Sequence, residues 1–174
     1  MSDYLIDSAQ SCIPIKLLKG IYDLEKWLVD QDQRVVNWVS ASGFKADKGK
    51  ICLIADKTGE AELVLCGTGE DSSVNLWTWA SFHDSLPEGN YSIVADLAEE
   101  EANHAAIGWG LANYEFNRYF CKKKNKLGPR LVWPSSCDRG HVTRTIKATY
   151  LVRDLINTPA SDMGPEQLAE AVKV

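Results

Sequence analysis

At 174 residues the chain has the length of one domain with a short attachment, enough to bury a full core. Its 45% hydrophobic and 25% charged content fits a soluble globular protein and excludes a disordered one. A formal net charge of -5 and a pI near 5.2 argue against holding a polyanion such as DNA through an overall field.

The first predicted element is a strand in "CIPIKLL", residues 12–18. Helical character follows in "YDLEKWLVDQDQRVVNWVSASGF", where Leu24, Trp27 and Leu28 are spaced three and four apart. "KICLIADKTGEAELVLCG" reads as a β-hairpin, two apolar runs around "DKTGE", with Gly59 free to supply a positive φ at the turn. A helix is predicted over 74–86, stopped by Pro87, and a strand over 91–96. A long helix is predicted from about 97 to 120, with Glu99, Glu100 and Glu101 at its front and "KKKNK" past its end, a charge order that suits the helix dipole. A short strand at 130–134 and a last full helix at 141–157 complete the list. Interleaved strands and helices predict an α/β fold, with a mixed sheet because of the hairpin and helices flanking it.

Reactive clusters are scarce. His83, His104 and His141 are the only histidines, none at i+3 or i+4 from another, and no H-E-x-x-H exists to hold zinc. The glycines of "CGTGED" lack the phosphate-loop spacing, and acids follow where an anion would sit, so they read as turn chemistry. No serine lies in a G-x-S-x-G elbow. The five cysteines, Cys12, Cys52, Cys66, Cys121 and Cys137, form no C-x-x-C pair and read as the reduced thiols of a cytoplasmic protein. The N-terminus lacks a secretion-signal pattern and no apolar run reaches the roughly 20 residues that span a bilayer, so no membrane partner is expected. "CKKKNK", residues 121–126, reads as a solvated helix terminus rather than a phosphate contact. Ile107, Leu111 and Tyr114 share one face at helical spacing and read as packing.

The end of the chain is the most informative stretch. Ala148, Leu151, Val152, Leu155 and Ile156 form one apolar stripe, and the helix should stop at Asn157 because Thr158 precedes Pro159. Gly164 and Pro165 then open a new helix, "PEQLAEAVKV", with Leu168, Ala171 and Val172 on one face and no stop signal. So short a helix is marginal alone. The expectation is that polypeptide beyond Val174 covers it, the chain being the front part of something longer.

The stretch "RDLINTPASDMGPEQLAE" resembles the interdomain signature of the leucyl aminopeptidase family, cytosolic di-metal exopeptidases. Asp154, Leu155, Asn157, Pro159 and Pro165 match that pattern, and "GWGLANYEFNRY" resembles the family's helix ahead of the link. Gly164 departs from it, since Thr or Ser is usual there.

The resemblance implies an N-terminal domain similar in fold to macro domains over 1–140, a linker helix over 141–157, and the start of a C-terminal peptidase domain over 158–174. It implies a parent hexamer that removes N-terminal residues from peptides. Two divalent cations (zinc, manganese or magnesium) would lie in the parent's catalytic part, polarising the scissile carbonyl and activating water. The family's N-T-D-A-E-G-R stretch and metal-binding lysine segment are absent, so no catalytic, metal-binding or cofactor-binding residue is assigned here. The implied role is architectural: shaping access to the active site and supporting assembly. Two other classes stand beside it, an ADP-ribose or nucleotide-binding module and a DNA-binding domain.

Overall fold

A computed structural model of the chain describes residues 4–70, 74–119 and 128–173. Along the chain run β1 (Leu5–Ile6), β2 (Ile13–Leu18), α1 (Gly20–Leu28), α2 (Gln33–Ser42), β3 (Ile51–Ala55), β4 (Ala61–Gly67) and α3 (Leu76–Ser85). They are followed by β5 (Asn90–Ile93), α4 (Glu99–Ala112), β6 (Arg130–Val132), α5 (Arg139–Asn157) and α6 (Pro165–Val172). The strands form one sheet in the order β1-β6-β5-β2-β4-β3. All neighbours are parallel except the β3–β4 hairpin, so the sheet is mixed as the sequence predicts. Gly59 turns that hairpin at φ +91°, and the Asp56 side chain accepts from Thr58 N at 2.7 Å and Glu60 N at 3.0 Å.

The two faces of the sheet sort residues by the strand period of two. Val64 and Cys66 of β4 face the helices α3, α4 and α5, in a core with Ile15, Trp79, Phe82, Tyr91, Trp109 and Ile146. Leu63 and Leu65 face α1 and α2, in a second core with Leu18, Leu24, Val35 and Val39. The result is helices on both sides of a sheet.

Several elements differ from the sequence reading, each for a visible reason. The helical stretch after β2 is two helices, because Asp32 leaves the helix and accepts from Val35 N at 2.9 Å as the N-cap of α2. The long helix ends at Ala112 rather than near 120. Asn113 stops it, its amide donating to Trp109 O at 3.0 Å and to His83 Nε2 at 2.7 Å. Tyr114 therefore lies outside the helix and does not extend the face of Ile107 and Leu111. The basic cluster at 121–126 lies outside the described residues. β1 went unpredicted, since a strand of two residues carries no readable alternation.

The apolar stripe on α5 is only partly covered within the described residues. Val142 and Ile146 bury against the core, while Ala148, Val152 and Ile156 face solvent, Ile156 with 76% of its surface exposed. The buried face occupies the first half of the helix, and the predicted stripe begins where that packing ends. The helix stops at Asn157 as expected, with Thr158 extended at φ -78°, ψ 123° before the proline. Gly164 and Pro165 open α6 as the sequence indicates, and no residue of α6 is buried.

Candidate functional site

The residues marked by the terminal motif converge on the loop that follows α4. That loop is placed by close helix packing. A Cβ on Gly108 would overlap the Leu76 carbonyl oxygen and come within 2.8 Å of Trp79 Cβ, so only glycine lets α4 approach α3 this closely. Gly110 does the same against Ile146 of α5. Tyr150 donates to Gly110 O, and Arg153 donates to Leu111 O at 2.8 Å, which satisfies carbonyls at the end of α4 from the neighbouring helix.

Beyond this seam the loop and the exit of α5 are joined side chain to side chain. Tyr114 donates to Asp154 Oδ1 at 2.7 Å and accepts from Asn157 Nδ2 at 3.1 Å. The Arg153 guanidinium lies 5.1 Å over the Tyr114 ring, which meets Tyr150 edge-on at 5.0 Å. Arg118 donates to Thr158 Oγ1 at 3.5 Å, and Thr158, itself buried, donates to Asp154 O at 2.7 Å. Tyr119 donates to Asp162 Oδ2 at 2.6 Å, after the helix break. Desolvation and the Asp154 carboxylate raise the Tyr114 hydroxyl above its ordinary value, and the bond to Asp162 raises Tyr119. The same bond from Tyr119, with one from Ser161, holds Asp162 below the usual carboxylate range.

Of the five motif residues, Asp154 and Asn157 therefore share one partner. Leu155 is half-buried, Pro159 is exposed at the turn, and Pro165 takes the first position of α6. Of the partners, Tyr114 is marked by its spacing only as packing, and Arg118 and Tyr119 carry no spacing signal. Their signal was only that they stand in the second family-like stretch, whose aromatics read more simply as packing.

The "GTG" turn is closed to phosphate. Gly67 N donates to Lys50 O, Thr68 N to Leu18 O and Gly69 N to Ala46 O, so these three amides already have partners. Glu70 packs against Gly20 at the start of α1, and a Cβ on Gly67 would overlap the backbone of Ala46 and Asp47. His83 is buried and bonded to Asn113 and to Asp84 Oδ1 at 3.1 Å. His104 and His141 line an open groove of about 630 Å³ between α3, α4 and α5, floored by Leu76, Ile107 and Leu111. Among the described residues, no group of three His, Cys, Asp or Glu side chains is arranged to hold a metal ion. Among the described residues, no helix is long and apolar enough to cross a membrane.

Residues 13–134 match the family model of the M17 aminopeptidase, N-terminal domain, which is more than half of the chain. The chain belongs to the M17 aminopeptidase family. The cytosol aminopeptidase from Coxiella burnetii superposes on this M17 domain with a TM-score of 0.84 at 36% identity, over 98% of this chain and 37% of that one. The probable cytosol aminopeptidase of Chlamydia muridarum is 26% identical over 182 residues, 90% of this chain and 36% of its own length. The bottromycin maturation enzyme BotP, in complex with Mn, shares the fold at a TM-score of 0.67 and 21% identity, over 95% of this chain and 36% of that one. The M17 domain described here thus spans a little over a third of the length of these relatives.

Proposed function

We propose that this chain is the non-catalytic N-terminal domain of a cytoplasmic, metal-dependent leucyl aminopeptidase. Residues 1–140 form the domain, 141–157 the linker helix and 158–174 the start of the peptidase domain. Its partner is that peptidase domain, whose two divalent cations (zinc, manganese or magnesium) supply the Lewis acid and the activated water for peptide hydrolysis. The Mn complex of BotP, alike in fold, supports a metal-dependent parent. In a hexameric parent the domain shapes access to the active site and supports assembly.

The observation that carries this reading is the exit of the chain. Val152 and Ile156 on α5, and Leu168 and Val172 on α6, are 52%, 76%, 46% and 62% exposed, which suits helices that another part of the same protein covers. The test compares peptidase activity and oligomer size of the longer aminopeptidase with and without residues 1–140. Loss of assembly or altered substrate-length preference is expected; unchanged values for both remove the proposal.

A further inference from the structure

The two contacts at the exit of α5 differ in what they hold. Tyr114 grips the end of the helix through Asp154 and Asn157, ahead of the break at Thr158 and Pro159. Tyr119, on the same loop, grips Asp162 beyond the break. Between them Arg118 reaches Thr158. One grip alone would leave the following segment free to swivel about the break, whereas two on a common loop fix an angle. The chain between the grips has little freedom left. Pro159 fixes its own φ and holds Thr158 extended, and Asp162 N donates to Pro159 O at 2.9 Å, closing the turn. With no buried residue in α6, packing adds little to fasten that helix to the domain.

We infer that Tyr114 and Tyr119 form a two-point latch that sets the direction in which the polypeptide leaves the domain. They are thereby positioning residues for the catalytic part of the parent. The positional half of this inference rests on the function proposed above; the latch itself does not. A hydroxyl donating to a carboxylate is a charge-assisted bond, short and directional, which suits an angular constraint better than apolar contact does.

Hydrogen exchange on the 174-residue chain tests the latch directly. Tyr119→Phe and Asp162→Ala should each speed exchange of the amides in 160–173 about threefold, a modest factor because the bond is exposed. Asp162→Asn keeps an acceptor oxygen and should lie closer to wild type. The double variant Tyr119→Phe/Asp162→Ala should go no further than Asp162→Ala alone, since that substitution already removes the Tyr119 bond together with the one from Ser161. Unchanged exchange in Tyr119→Phe, or additive effects in the double variant, overturns the latch. In the longer aminopeptidase, Tyr119→Phe should lower kcat/KM several-fold with an unchanged Tm, and Asp162→Asn should retain most of it. Wild-type kinetics alongside faster exchange overturns the positioning role. A longer wild-type protein without peptidase activity would instead remove the proposed function, and the exchange result would still decide the latch.

Discussion

Gly108→Ala isolates the packing that places the whole exit. In a solvent-facing helix this change stabilises by about 1 kcal/mol, because alanine restricts the unfolded chain and suits the helix. Here the new methyl would overlap the Leu76 carbonyl oxygen and sit 2.8 Å from Trp79 Cβ. The first is backbone of the opening residue of α3 and the second belongs to a side chain buried to 1% exposure, so neither can swing aside. Overpacking of this kind costs up to about 3 kcal/mol, which leaves a net loss of about 2 kcal/mol. For a chain of this size that lowers Tm by about 4–8 °C. In urea the midpoint should fall by about 1 M with an unchanged slope. Gly43→Ala is the control: it has open space but a φ of +66°, so its cost is backbone conformation alone. Hydrogen exchange should rise first in α3 and α4 for Gly108→Ala and at the end of α2 for Gly43→Ala. A Gly108→Ala protein as stable as wild type would refute the claim that this glycine sets the α3–α4 distance.

Other sites give sharper chemical signatures. Asn113→Ala removes the amide that stops α4 and leaves buried His83 Nε2 without its donor, so unfolding should become easier by about 1–3 kcal/mol, read by urea denaturation. The Asp138 carboxyl is held below its ordinary value near 3.8, chiefly by accepting from His141 N at the start of α5. A depressed folded value means its stabilisation is present above the unfolded value and lost as pH falls through the folded one. The Tm gap between wild type and Asp138→Ala should therefore be widest near neutrality and narrow below pH 3.8; a constant gap would contradict the assignment. Burial pushes the Cys66 thiol far up, so Cys66 should resist alkylation until the protein unfolds, while half-buried Cys12 reacts in the native state. Peptide mass mapping of the alkylated protein reads both.

What the sequence made legible follows from the range of the interaction involved. Turns and caps are local, and their signals held: Gly59 in the hairpin, Pro159 after α5, Pro165 opening α6. Where a local signal competed with a distant one, the distant one won. The helical pattern ran on past Ala112, but Asn113 finds His83 thirty residues earlier in the chain, and that bond exists only once α3 and α4 have packed. The stripe on α5 is legible as a stripe, but apolar spacing cannot say where along a helix the core ends. Val142 and Ile146, at the same helical spacing, join the core instead.

The exit of the chain shows why a motif can be recognised long before its physics is. Asp154 and Asn157 are acceptor and donor for one hydroxyl, and that hydroxyl stands forty residues away in sequence from the aspartate. Neither stretch alone gives its polar residues a reason. Once Gly108 and Gly110 have brought α4 against α3 and α5, the loop after α4 has one place to lie, beside the end of α5. The glycines then matter to the exit as much as the tyrosines do. At the Gly67–Gly69 turn the backbone amides already donate to the carbonyls of Lys50, Leu18 and Ala46. Between the α4 loop and the departing chain, by contrast, Tyr114, Arg118 and Tyr119 join Asp154, Thr158 and Asp162 side chain to side chain. Under the proposed function, that junction is where the domain would act on the rest of the aminopeptidase.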